Sequence, residues 1–307
     1  MASALSLRAQ KLITYEAGMG SRDPDNADTW ILYKKVKAQH EGMTLYADSA
    51  LLNTKTNEFT AFRHIRIVLT DTTSITGSRL IYDGNERIAH IWGDTVRLRD
   101  GKTLLKSDRL TYDRNASTAY YETWGHTVNG KDTLDSRKGL YNTDDKVFVI
   151  TEEVRLKDSN TLMLTEALVY NTESNIASFS SPTHIYSDTN YLYSELGDFN
   201  SDIDLARSFR ASFVRTGSKS VSSDTLFYNN QFQLGQAWGN VVIRDSANDL
   251  TCRGQYGETD QEARLSLITD HAEVLFVDEG DSLWLFADTI FVKNNEQDSL
   301  DWVNAFH

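Results

Sequence analysis

The feature that most limits what this chain can fold into is an internal period. A large apolar residue followed at once by Asn, Asp or Gly occurs at Leu52-Asn53, Tyr82-Asp83, Tyr112-Asp113, Tyr141-Asn142, Tyr170-Asn171, Phe199-Asn200, Tyr228-Asn229 and Tyr256-Gly257. The intervals are 30, 30, 29, 29, 29, 29 and 28 residues. A step of that size marks a repeated unit too thin to bury its own apolar face, so neighbouring units must stack.

Each anchor closes a run such as "ITGSRLIYD" (75–83) or "VSSDTLFYN" (221–229). Leu80 with Tyr82, and Leu168 with Tyr170, are two residues apart, the spacing that places both on one face of a strand. Turns rich in Asn, Asp and Gly follow, and these residues tolerate the left-handed and Asx conformations of hairpins. A longer second run comes next, and three copies carry Trp-Gly, at Trp92, Trp124 and Trp238. The glycine predicts a bulge or bend in mid-strand and the tryptophan a side chain filling the concave side, with Trp92, Val96 and Leu98 of one parity. Pro182 occupies the same place in another copy and also fits a bend.

One repeat is therefore strand, turn, longer strand, turn. About nine units run from Trp30 to Val292, or about 18 antiparallel strands at roughly 4.8 Å each, some 85 Å of stack. The predicted fold is all-β: one elongated open jelly roll over residues 12–292, followed by a tail at 293–307. Residues 1–11, with "ALSLRA", are expected to be a signal-peptide remnant or a frayed terminus.

Composition narrows the partners. A formal net charge of −13 over 307 residues, with the basic residues scattered among acids, argues against nucleic acid. No stretch approaches 18 apolar residues, so no transmembrane helix is expected. Cys252 is the single cysteine and reads as a small core residue.

Candidate chemistry is sparse. His64, His90, His126, His184 and His271 fall in second strands, where ordinary polar strand positions explain them better than a metal column. His40-Glu41 lacks the second histidine of a zinc helix. Asp48, Asp108, Asp224 and Asp288 recur four residues before the anchor or its equivalent, with Glu166 and Glu195 standing in. A ladder of carboxylates could bind calcium or attack a polysaccharide, but a solvated polar face fits the interruptions at Ser78 and Arg137 better. With no nucleophile elbow, phosphate loop or Cys-His pair, no catalytic residue, metal or cofactor is expected, and the protein is not read as an enzyme.

The aromatic column at Tyr82, Tyr112, Tyr141, Tyr170, Phe199, Tyr228 and Tyr256 leaves two readings open. It fills a closed solenoid core, as in an adhesin or scaffold, or it lines an open sheet whose interior holds a ligand.

With the units aligned, "GMTLYADSALLNTKTNEFTAFRHIRI" (42–67), "LKSDRLTYDRNASTAYYETWGHTV" (105–128) and "VSSDTLFYNNQFQLGQAWGNVV" (221–242) resemble the OstA-like family, the LptA-type lipopolysaccharide-transport proteins of Gram-negative bacteria. The resemblance implies a periplasmic jelly roll that shields lipid A acyl chains in a groove, either as a bridge or as the periplasmic domain of the outer-membrane translocon. It would place Tyr82, Trp92, Tyr112, Trp124, Tyr141, Tyr170, Phe199, Tyr228, Trp238 and Tyr256 along that groove.

The ends of the stack matter as well. "WILYKKVKA" (30–38) carries the lysines of a blunted edge, whereas "LWLFADTIFV" (283–292) is long and apolar. The latter predicts head-to-tail strand addition by a second copy or a related jelly roll, unless the tail folds back over it.

Overall fold

The computed structural model describes residues 11–187, 190–260, 262–278, 281–293 and 302–306. The regular structure among them is entirely β, in 27 strands, with no helix. The chain forms two compact units, up to Phe148 and from Val149 onward, and passes from one to the other within the strand Val147–Lys157. Within each unit, strands pair antiparallel with their sequence neighbours, as Glu58–Val68 does with Thr73–Asp83 and Leu234–Asp245 with Leu250–Asp260. The jelly-roll architecture and the expectation of about 18 long strands are met; six long strands are each broken in two at mid-length, and short terminal strands are added.

The bends in the continuous strands are bulges. Where Thr29–His40 pairs with Met43–Asn53, the register shifts between Tyr33 and Val36, so one strand carries an extra residue. Consecutive residues with positive φ absorb it: Lys34 and Lys35, then Arg63 and His64, Glu152 and Glu153, Gly239 and Asn240, and Asp270 and His271. Such a bulge bends the strand sharply, and apolar residues on both sides of it point inward. Leu32 and Val36, Ala61 and Ile65, and Ala237 and Val241 are all buried.

Buried hydroxyls satisfy the interrupted ladder. Ser107 Oγ donates to the Trp124 carbonyl at 2.7 Å, Ser136 to that of Lys138 at 3.1 Å, and Ser223 to that of Thr225 at 2.9 Å. A free backbone carbonyl inside a sheet would otherwise be costly.

The hairpin turns repeat with equal regularity. Asp83 Oδ1 accepts from the amides of Asn85 and Glu86 at 2.8 and 3.0 Å. Asn142 does the same for Asp144 and Asp145, and Asn171 for Glu173 and Ser174. Each turn closes on a left-handed residue: Asn57, Arg87, Ser117, Lys146, Asn175, Asp204, Gln233 and Arg264. The Asn or Asp of the anchor is thus the side chain that caps an Asx turn.

This register corrects the last anchor. The eighth turn is capped by Asp260, whose Oδ1 accepts from the Ala263 amide at 2.8 Å. The residue equivalent to Tyr228 is therefore Thr259, not Tyr256. A bulge between Arg253 and Tyr256 puts the neighbouring Gly257 inward, and Tyr256 packs outside against Trp238 at 5.6 Å between ring centroids.

The tryptophans need the same correction. Ile91 and Val96 are both buried though five residues apart; a two-residue period needs an even step, so the bend reverses the alternation. Trp92 is left on the outer face under the Arg79 guanidinium, at 5.9 Å. Trp124 is exposed, and Trp238, next to buried Ala237, meets Phe227 outside at 5.0 Å.

Both ends also differ from expectation. The lysine-bearing strand Thr29–His40 is not an edge, because Thr14–Glu16 and Met19–Arg22 pair with it. At the other end Trp302–Phe306 pairs with Thr289–Lys293, covering the last five of the thirteen residues of the final long strand. The expectations for residues 1–10 and for 294–301 lie outside the described residues.

Candidate functional site

The inward residue just before each capped turn forms the candidate site. Tyr82, Tyr112, Tyr141, Tyr170, Phe199 and Tyr228 are all buried, and Leu52 holds the same place in the first copy. Tyr141 stacks on Phe148 with ring centroids 4.2 Å apart. Burial raises the phenol pKa of Tyr82, Tyr112 and Tyr228, with nearby charges and hydrogen bonds as smaller influences.

The hydroxyls explain why this position holds tyrosine more often than phenylalanine. Because the long strands bend, the turns at their two ends form two rows, and these rows meet along a seam in each unit. Tyr82 OH shares a 2.7 Å hydrogen bond with His40 Nδ1 in the opposite row. The other ring nitrogen of His40 lies 2.9 Å from the Lys11 carbonyl, which can only accept, so Nε2 carries the proton. Tyr141 OH donates to Asp100 Oδ2 at 2.7 Å, and Asn190 Nδ2 donates to Tyr228 OH at 3.3 Å. Tyr170 OH donates to Asn175 Oδ1 in its own turn at 3.1 Å.

Other groups close the seam beside them. In the first unit Asp100 is buried and accepts from Lys146 Nζ at 2.6 Å and from Thr73 Oγ1 at 2.9 Å. Arg87 reaches Glu41 through two nitrogens, at 2.8 and 3.1 Å. In the second unit, among the described residues, amides and a hydroxyl cross: Asn190 Nδ2 donates to Asn230 Oδ1 at 2.5 Å, and Asn230 Nδ2 to Ser187 Oγ at 3.1 Å. The seam residues His40, Asp100, Asn190 and Asn230 were not visible as a set in the sequence. Their partners lie about 40 residues away, out of phase with a 29-residue period, and the preference for Tyr over Phe was the one available signal.

The carboxylate ladder resolves into clamps on the bends. Asp48 Oδ2 meets His64 Nδ1 at 2.8 Å, and Asp224 Oδ2 accepts from Asn240 Nδ2 at 2.9 Å. Asp108 accepts from the Thr123 hydroxyl, and Glu195 pairs with Arg210 at 3.4 Å. The remaining histidines are dispersed: His90 meets Thr111, His126 meets Asp135 and His184 meets Tyr191. Among the described residues no group of three His, Cys, Asp or Glu side chains is arranged to hold a metal ion.

A family model described as "OstA-like protein" matches residues 12–154 and 145–216. No curated protein matches the chain. Among solved structures, one similar chain is LptH, described as the LptA-homologous periplasmic component of the lipopolysaccharide transport device of Pseudomonas aeruginosa. It is 11% identical, the match covers 54% of this chain and 79% of that one, and the TM-score is 0.17. The family model alone spans well over half of the sequence, and the chain belongs to the OstA-like protein family.

Proposed function

We propose that this protein carries lipopolysaccharide through the periplasm, holding lipid A acyl chains against the apolar inner face of its jelly roll. The observation that carries the reading is the inward row of aromatic side chains, at successive repeats of an OstA-like chain. A carrier of this kind needs no catalytic group. At roughly 0.8 kcal/mol for each methylene removed from water, one acyl chain supplies ample affinity without basic residues, which suits a chain with net charge −13. The tyrosines are fully packed and the seam is bridged, so acyl chains enter by displacing packed side chains. Tyr82, Tyr112, Tyr141, Tyr170, Phe199 and Tyr228 are the proposed lipid-facing residues; Trp92, Trp124, Trp238 and Tyr256 face outward and are not.

The free part of the last long strand is the proposed contact with a second jelly roll. Among the described residues Trp302–Phe306 pairs with Thr289–Lys293, and Leu283, Trp284 and Phe286 beyond it are exposed. Strand addition there would supply backbone hydrogen bonds and cover those side chains together.

Lipid extraction and mass spectrometry of protein purified from a lipopolysaccharide-producing host test the proposal. Stoichiometric lipopolysaccharide is expected. Protein that copurifies with no lipid, and takes up none when mixed with it, would leave a closed β scaffold as the better description.

A further inference from the structure

Two small cavities lie inside the second unit and share Tyr228 and Val214 as a common wall. One, of about 20 Å³, is lined mainly by apolar side chains, among them Ile185, Leu192 and Phe199, together with polar ones that include Thr161, Asn190 and the Asp204 carboxylate. The other, of about 30 Å³, continues past Val221, Ile243 and Leu265. Thr161 Oγ1 and Asn190 Oδ1 are both buried with no hydrogen-bond partner in the structure. Both residues line the same apolar chamber. An unpaired acceptor and an unpaired hydroxyl beside hydrocarbon walls suit an amphiphile, whose tail takes the chamber while an N–H or O–H near its head meets the two oxygens.

The seam at this place is the easier one to part. The bonds seen across it among the described residues join uncharged side chains, Asn190 to Asn230 and Tyr228, and Asn230 to Ser187; the Asp204 carboxylate that Asn230 also meets lies in the same turn row as Asn230. Opening the first unit would separate Lys146 from buried Asp100 and Arg87 from Glu41, and an uncompensated buried charge costs far more than an exchanged neutral hydrogen bond. The first unit does hold a cavity of about 390 Å³, but threonine hydroxyls, Arg114 and Lys146 dominate its lining, a surface for water rather than for hydrocarbon.

We infer that an acyl chain bearing an amide or hydroxyl near its polar end inserts through the seam of the second unit. Asn190 and Thr161 are its polar contacts, and Tyr228 is the wall that moves to join the two cavities. The assignment rests on the carrier reading and locates where in the fold that cargo is admitted.

The test uses the full chain and a photoactivatable probe, hexadecanoyl ethanolamide carrying a diazirine in its tail, with diazirine-bearing hexadecane as the headless control. Peptide mapping after irradiation should place adducts on Ile185, Leu192, Val214 and Tyr228. Asn190→Leu should lower labelling by the amide probe about fivefold, the worth of one hydrogen bond, and leave labelling by hexadecane unchanged. Thr161→Val should act in the same direction without touching the seam, so a poorly folded Asn190→Leu protein leaves the question decidable. Adducts confined to the surroundings of Tyr82 and Tyr141 would overturn the inference and leave the carrier reading standing. Undiminished labelling of both variants would show that the two oxygens serve a bound water. No adduct from either probe would remove the carrier reading and this inference together.

Discussion

Tyr121 shows how closely single residues are bound to this fold. Its ring is buried between Gly125 and Gly139, where an added Cβ would fall well inside contact distance of the ring, and its hydroxyl bonds Ser136 Oγ at 2.6 Å. Gly125→Ala should therefore destabilise the protein by about 3 kcal/mol, the upper range for overpacking, measurable by urea unfolding. Gly239 carries the same Trp-Gly signature for another reason: its φ is +74°, a conformation that side chains strain to adopt. Burial pushes the Tyr121 phenol up to about 12, against the lowering effect of the Ser136 bond. The folded state thus keeps a proton that the unfolded chain releases near pH 10. The resulting stability is fully present below pH 10 and is lost as pH rises towards 12, a contribution on the order of 2 kcal/mol. Tyr121→Phe should flatten the fall in stability over that window; an unchanged slope would assign it to the other buried phenols. The sequence marked each Trp-Gly as a bend, and bends are there. It did not show which way the tryptophan points: at Trp92 the bend reverses the alternation between buried Ile91 and Val96, whereas around Trp238 the alternation holds from buried Ala237 to buried Val241, and the parity of its own strand already places that ring outside.

At the level of strands and turns, nearly everything legible came from the Asn or Asp of the anchor, which has a local job that composition reveals. It caps the turn, and the turn sets the register of both flanking strands. The anchor failed at Tyr256-Gly257, where spacing alone chose a residue three positions ahead of the capping Asp260. The mid-strand acids recur for an equally local reason, since Asp48, Asp224 and Glu195 hold neighbouring bends. Cross-strand partners of that kind are invisible until the register is known. The last long strand, Asp281–Lys293, carries the sharpest prediction at this scale. Its uncovered stretch exposes Leu283 and Phe286 at 67% and 60%, and lysine is the residue that soluble proteins place on such edges. Phe286→Lys should abolish concentration-dependent association in light scattering while leaving the melting temperature within a few degrees of wild type. Association equal to that of wild type would place the contact elsewhere.

For the molecule as a whole, the central claim is that the buried faces of its repeats form a surface for acyl chains as well as a core. The period, the all-β class and the inward tyrosines were readable in the sequence because each repeats at a fixed step. The seam was not, because it joins residues that become neighbours only after every strand has bent. A closed scaffold and a lipid carrier share the same period, and they differ in whether the inner face can be reached by hydrocarbon. The direct measurement replaces Tyr112, Tyr170 and Tyr228 in turn with a photo-crosslinking amino acid, with Val169, exposed on the opposite face, as the control. Irradiation in lipopolysaccharide-producing cells should yield lipopolysaccharide adducts at the three inward positions and none at Val169. Adducts at Val169 alone, or at none of the four in protein that remains folded, would contradict the account.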